Sequence, residues 1–251
     1  MASAIDFDFY KFYDRTKTNP YETAMKICPH ECYASGACPF DKTQQSIIPC
    51  AEKLPYITIY YNITNTASTT PILYIAPTNF TGMKVNGNHT QNVTTTYKFP
   101  TTGINKVIYF MSETTTIQDN TFKNITSLIT TEPLEASIIG QDAFQRTGLT
   151  AITLPNVTLI KGSFFSTPLV KIDIGDKLET MGRSSFEGCR NTLRTFVIRT
   201  KIPPTVDAYG LHKLYETQFY VPSESLNRYK TAPGWDVFKN QMHTLEEIPE
   251  G

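Results

Sequence analysis

The chain has 251 residues, and its 23 basic residues balance its 23 acidic ones, so the formal net charge is zero. Without a basic run it lacks the surface that neutralises phosphates, and nucleic acid is not an expected partner. No stretch approaches the roughly 18 apolar residues of a membrane span, and residues 1–6 have neither the basic nor the apolar region of a secretion signal. The length suffices to bury a sizeable core.

Residues 1–53 comprise an aromatic arm followed by a cysteine cluster. Five aromatic side chains are crowded among charged residues in the arm: Phe7, Phe9, Tyr10, Phe12 and Tyr13. The arm is too short for a core of its own, but its aromatic area suits it to anchor on a protein surface. Two interpretations stay open. The arm packs on the middle part of its own chain, or it docks into a neighbouring subunit of a homo-oligomer or larger assembly.

The cysteine cluster has a spacing that common zinc folds do not use. Its members are Cys28, Cys32, Cys38 and Cys50. Zinc folds usually carry C-x2-C pairs, whereas the spacing here is C-x3-C-x5-C-x11-C. Three states remain open: free or merely structural thiols, a zinc site, and disulfides, which would need an oxidising compartment. No other cofactor is expected.

Residues 54–115 predict a small antiparallel β module. Four runs rich in β-branched and aromatic residues predict strands: 56–64, 71–76, 92–99 and 107–110. Asn86 and Gly87 predict a two-residue hairpin turn, because both residues of such a turn need positive φ. We expect this module to cap the part of the chain that begins at residue 116.

Residues 116–201 carry a short pattern four times, at steps of 22, 21 and 21 residues. Each copy has an apolar residue and, five positions later, a Phe: Ile117 and Phe122, Ile139 and Phe144, Ile160 and Phe165, Met181 and Phe186. A Leu-x-x-Ile-x-Leu run follows each Phe, as in Leu149, Ile152 and Leu154, but the first copy is degenerate. This period predicts a leucine-rich solenoid in which every repeat adds one strand to a parallel sheet.

Alternation along these strands predicts which residues form the outer face of the repeats. They are Ala151, Thr153, Lys171, Asp173, Thr195 and Val197. No aromatic residue is among them, so tight binding at this face is not expected.

After Pro204 the periodicity is expected to end, leaving residues 202–251 as a C-terminal cap. The cap is predicted to contain a strand at 218–221 and a helix that begins at an N-capping Ser223. Trp235 is predicted to cover the last repeat. The four histidines are scattered, and the sequence contains no metal-binding, nucleophile-base or phosphate-loop motif, so catalysis is not expected.

The unit from Ile139 to Pro155 resembles the BspA-like leucine-rich repeat of bacterial surface proteins, common in gut Bacteroidetes and their phages. The segment Phe219 to Trp235 is similar to the terminal unit of that family, and the resemblance covers about residues 110–248. It implies a mainly β fold: a short solenoid with a parallel sheet, preceded by the antiparallel module and closed by a strand and short helices. Members are adhesins, interaction modules or structural proteins without catalytic residues.

Two functions are consistent with these features. The first is a structural component on the surface of a bacteriophage virion, such as a decoration, fibre or adaptor protein, which displays the repeats and is held by its arm. The second is a bacterial cell-surface adhesin expressed without its leader, whose sheet binds a protein or glycan ligand. The first is favoured because it needs no secretion signal and gives the aromatic arm a role.

Overall fold

The computed structural model describes residues 55–90, 92–112, 115–207 and 209–249. The aromatic arm and the four clustered cysteines lie outside these residues. The described part is mainly β, as predicted, and none of its helices is long and apolar enough to span a bilayer.

The strands are, in chain order, β1 (Tyr56–Ile63), β2 (Thr70–Pro71), β3 (Phe80–Val85), β4 (Asn88–Thr90), β5 (Thr96–Tyr97), β6 (Gly103–Met111), β7 (Thr116–Ile117), β8 (Leu128–Thr131), β9 (Ile138–Ile139), β10 (Ala151–Leu154), β11 (Leu159–Ile160), β12 (Lys171–Ile174), β13 (Thr180–Met181), β14 (Thr195–Ile198), β15 (Thr205–Val206), β16 (Gln218–Val221) and β17 (Met242–Thr244). Among the described residues, the helices are α1 (Leu226–Thr231) and three 3-10 turns, Ser223–Ser225, Asp236–Gln241 and Leu245–Glu247.

The first sheet is antiparallel and has the strand order β4-β3-β6-β1-β8. Asn86 and Gly87 form the predicted hairpin turn between β3 and β4, with φ values of 48° and 92°. The predicted strands at 71–76 and 92–99 are shorter than expected, since only the two-residue strands β2 and β5 form and pair with each other.

The long strand of the first repeat, β8, belongs to this antiparallel sheet. β8 pairs antiparallel with β1, placing Leu128 opposite Tyr61 and Thr131 opposite Ile59. Three residues after β8, the backbone N–H of Leu134 donates to the Thr153 carbonyl at 2.9 Å, beside β10. The copy that is degenerate in sequence is therefore the one that joins the two parts of the fold, and the antiparallel sheet closes this end of the solenoid.

The other strands of the repeats and the cap build two parallel sheets. One has the order β10-β12-β14-β16-β17, and the other contains the two-residue strands in the order β15-β13-β11-β9-β7. The long strands align in register, so that side chains in equivalent positions form a buried inner row: Ile152, Ile172, Phe196, Phe219 and Met242. The predicted leucine-rich solenoid is confirmed.

A column of four buried Phe rings fills the middle of the solenoid. Its members are Phe122, Phe144, Phe164 and Phe186, and successive ring centroids are 5.2, 5.5 and 5.5 Å apart. The prediction of Phe165 as the third member was wrong, because Phe165 is only half-buried. In the other three copies, a residue with positive φ lies two positions before the buried Phe: Asn120, Asp142 and Ser184. The third copy lacks this residue. Its buried Phe therefore comes one residue earlier.

The parallel pairing continues past Pro204, contrary to the expected end of the periodicity. β15 pairs with β13, β16 pairs with β14, and Leu211 occupies the place of the buried Phe. The long-strand sheet then gains β17 from the cap.

Trp235 closes this end of the solenoid, as predicted. It is fully buried, its ring centroid lies 5.0 Å from that of Tyr229, and its indole N–H donates to the Pro204 carbonyl at 2.9 Å. Ser223 is not a helix N-cap, because it lies inside the 3-10 turn Ser223–Ser225, and α1 begins at Leu226.

Candidate binding surface

The outer side of the long-strand sheet, which we call the sheet face, contains two in-register rows of side chains. The first row is Ala151, Lys171, Thr195 and Gln218. The second row is Thr153, Asp173, Val197, Tyr220 and His243. All six residues predicted for the outer face lie in these rows. Ala151, Thr153 and Lys171 are exposed, and Asp173 and Thr195 are half-buried.

Val197 lies on the sheet face but is only 1% exposed. It sits in register between Asp173 and Tyr220, and its strand leads into Arg199. Val197 thus lies in the row predicted for the outer face but adds almost no accessible surface to it.

An ion pair fixes the middle of the sheet face. The Nε and Nη2 atoms of Arg199 donate to Oδ1 and Oδ2 of Asp173 at 3.1 and 2.8 Å. The hydrogen bonds to Asp173 raise the pKa of the Arg199 guanidinium, which therefore stays charged. Because such a bidentate pair has a defined geometry, it holds donors and acceptors from two adjacent repeats in fixed positions.

The cap supplies an aromatic end to the sheet face. The Tyr220 and His243 rings lie stacked, with centroids 5.4 Å apart, and His243 Nε2 is 2.8 Å from Oε1 of Gln218. Gln218, Tyr220 and His243 were not predicted as part of this face, because the repeats were expected to end at residue 201. Arg199 was missed because it follows the last residue of β14, Ile198. The alternation in β16, where Phe219 is buried inside, indicates that Tyr220 points outward. Tyr220 is itself only 6% exposed, so the accessible groups of the complete face include Arg199 and, at the cap end, the half-buried His243 and Gln218.

A groove with a volume of about 1170 Å³ adjoins the sheet face at the ends of the long strands. Thr153, Asp173 and Arg199 belong to both the face and the groove, and Pro155, Gly175 and Pro203 line the groove further along. A Cβ atom at Gly175 would lie 1.9 Å from the Pro155 carbonyl oxygen, so glycine is required where the two repeats approach here. The groove is large enough for an extended ligand.

Within the described ranges, no group of three His, Cys, Asp or Glu residues is arranged to hold a metal ion. The candidate zinc ligands Cys28, Cys32, Cys38 and Cys50 lie outside those ranges. Cys189 is buried in the solenoid, where its Sγ lies 3.1 Å from the carbonyl oxygens of Phe164 and Thr167. Burial raises the pKa of the Cys189 thiol to about 12, so it is a core residue that does not act as a nucleophile near neutral pH.

In-register parallel strands, short return segments and a column of buried Phe rings define the class of leucine-rich repeat solenoids. Residues 92–207 match the family described as BspA type leucine rich repeat region, in six copies. Residues 92–207, a little under half of the chain, thus form a BspA-like leucine-rich repeat region. No curated protein shows significant similarity to it.

Proposed function

We propose that the protein is a non-enzymatic structural and interaction protein that presents the sheet face to a surface ligand, either a protein or a glycan. The observation that carries this proposal is the combination of the Asp173–Arg199 pair, the half-buried His243 ring stacked on Tyr220, and the adjoining groove on one frame. Arginine is a frequent interaction hot spot, and Arg199 is exposed. The frame is closed at both ends and packed throughout, which suits it to hold these groups in place.

The setting we propose is the surface of a bacteriophage virion, where the protein acts as a decoration, fibre or adaptor subunit. The five aromatic residues between Phe7 and Tyr13 support this setting, since they suit attachment to other subunits. A bacterial cell-surface adhesin is the second candidate. It is favoured by the match to the BspA-type repeat, which the sequence resemblance links to bacterial surface proteins.

Two substitutions test the sheet face. Arg199→Ala and Asp173→Asn each break the ion pair, and we expect either to weaken binding of the purified chain to a glycan array or to bacterial cells at least tenfold. Asp142→Asn is the matched control, because Asp142 forms a comparable 2.9 Å ion pair with Lys123 in the return segments. Equal binding by all three variants would exclude the sheet face.

Antibodies against residues 116–248 test the setting. Immunogold electron microscopy of phage particles and of intact bacterial cells shows where the protein is displayed. Labelled particles support the virion component, and labelled cells without labelled particles support the adhesin.

A further inference from the structure

The turn after β15 places a large aromatic residue where other repeats have small polar ones. Asn120, Asp142 and Ser184 adopt φ values of 60°, 55° and 56°, and the equivalent residue of the next repeat is Tyr209, with φ of 69°. Asn and Asp tolerate this left-handed conformation, whereas a bulky residue is rarely found in it. The backbone at Tyr209 is therefore strained.

Core packing does not account for this strain. Tyr209 is 55% exposed, and the core position of the same repeat is filled by Leu211, which is 4% exposed. An exposed residue that holds an unfavourable backbone conformation without filling the core points to a role in binding.

Two neighbouring side chains make Tyr209 part of a cluster. The guanidinium carbon of Arg183, from the preceding repeat, lies 5.5 Å from the centroid of the Tyr209 ring. The His212 ring meets Tyr209 at 5.1 Å and nearly at right angles, with an interplanar angle of 82°. Within the described part of the chain, no carboxylate forms an ion pair with Arg183. The Arg183 guanidinium thus lies over the Tyr209 ring, and its N–H donors remain available to bind a ligand.

These three groups match the parts of an acidic sugar. An exposed aromatic ring offers an apolar surface for the C–H face of a pyranose. The guanidinium can bind a carboxylate through two parallel hydrogen bonds, and the imidazole can donate to or accept from a hydroxyl. A neutral sugar would leave the Arg183 donors unused, and an acidic peptide would make little use of the flat Tyr209 ring.

We propose that Tyr209, Arg183 and His212 form a subsite for a carboxylate-bearing sugar, such as a hexuronic or sialic acid, within a surface glycan. The subsite rests on the glycan form of the proposed function and narrows it to acidic glycans. It is carried by the turns after the short strands, and none of its residues belongs to the sheet face. A loss of binding caused by substitutions in the subsite can therefore be distinguished from one caused by substitutions in the sheet face.

Titration of the full chain with sialyllactose, trigalacturonic acid and neutral lactose, followed by NMR, tests this subsite. We expect the acidic sugars to bind at least tenfold more tightly than lactose. Tyr209→Asn should weaken their binding at least tenfold while the Tm stays equal or rises, because Asn suits the left-handed conformation. Arg183→Gln should abolish the preference for acidic sugars. Tyr215→Asn is the control, since Tyr215 is also highly exposed, at 70%, and should not affect binding.

Three results would overturn the proposal. A lower Tm for Tyr209→Asn would show that the tyrosine supports the fold. Equal affinity for acidic and neutral sugars, or no affinity for either, would remove the sugar assignment. Binding of a hexaglutamate peptide as tight as that of the acidic sugars would indicate a protein partner instead.

Discussion

Phe144 and Phe164 lie face to face in the middle of the solenoid, with ring centroids 5.5 Å apart and an interplanar angle of 6°. Each ring comes from a different repeat, and the column ends at Tyr109 on one side and at Phe196 on the other. Because every repeat shares its core with its neighbours, the loss of one ring should weaken more than one repeat.

The first prediction concerns this column. Phe144→Ala should lower the free energy of unfolding by about 3 to 5 kcal/mol, because it leaves a cavity between two rings. Urea denaturation measures the change. Phe165→Ala is the matched control and should cost about 1 kcal/mol or less, since this ring is only half-buried. Equal losses for the two variants would contradict the placement of Phe164 in the column.

The second prediction concerns the close approach of two repeats at Gly175. Gly175→Ala would place Cβ 1.9 Å from the Pro155 carbonyl oxygen, so the backbone must shift. We expect a loss of about 1 to 3 kcal/mol, typical of overpacking, seen as a lower Tm. Gly82→Ala provides the comparison, because the nearest atom to its added Cβ would be 3.8 Å away. If both variants melt alike, the repeats are less closely packed than the structure indicates.

The third prediction concerns acid stability at the junction of the two parts. Lys106 Nζ donates to Oε1 of Glu132 at 2.8 Å, and the Tyr60 hydroxyl donates to the same oxygen at 2.9 Å. The hydrogen bond from Lys106, assisted by Tyr60, holds the pKa of Glu132 below its usual value. A carboxylate with a lowered pKa stabilises the folded state above its unfolded pKa, and this contribution disappears as the pH falls through its folded pKa.

Glu132→Gln tests the acid prediction. The substitution should lower the Tm at pH 7 and have a smaller effect at an acidic pH below the folded pKa of Glu132, where the wild-type carboxylate is protonated. Both side chains are about 40% exposed, so the contribution should stay below about 1 kcal/mol. Other carboxylates also titrate in this range, so the difference between the two proteins at each pH is the informative quantity. An identical difference at both pH values would refute the role of Glu132.

The fourth prediction concerns Cys189. Since burial raises the pKa of its thiol to about 12, it should resist alkylation by iodoacetamide at pH 8 in the folded protein and react after denaturation. Peptide mass spectrometry reports the modified fraction. Rapid labelling of the folded protein would show that this part of the solenoid opens readily.

The same peptide map, with a measurement of bound zinc, separates the states left open for Cys28, Cys32, Cys38 and Cys50. A zinc site should give about one equivalent of metal per chain, and chelation should release it. Free thiols would react without reduction, and disulfides would react only after it.

The solenoid core was predictable because apolar residues recur with a fixed period. Ile152 and Leu154 alternate with the predicted outer-face residues Ala151 and Thr153, and both are buried. The third Phe was misassigned because Phe165 keeps the five-residue offset of the other copies. Only the loss of one turn residue in this copy places its neighbour Phe164 in the column. Such a local shortening is not visible in the side-chain pattern.

The sheet face was predicted only in part, because strands contributed by the cap do not repeat the leucine pattern. Tyr220 and His243 belong to β16 and β17, which are far apart in sequence and meet only by parallel pairing. The switch of β8 to the antiparallel sheet also depends on a distant partner, β1. Long-range pairing of this kind leaves little trace in the local sequence.

Light scattering of the full chain and of a variant lacking residues 1–18, each followed by a melting curve, tests the proposed assembly role most directly. We predict that the full chain forms an oligomer, that the shortened chain is monomeric, and that the repeat domain melts at the same temperature in both. A shortened chain that assembles normally and melts markedly lower would contradict this role, because the arm would then support this chain's own fold and not its attachment to other subunits.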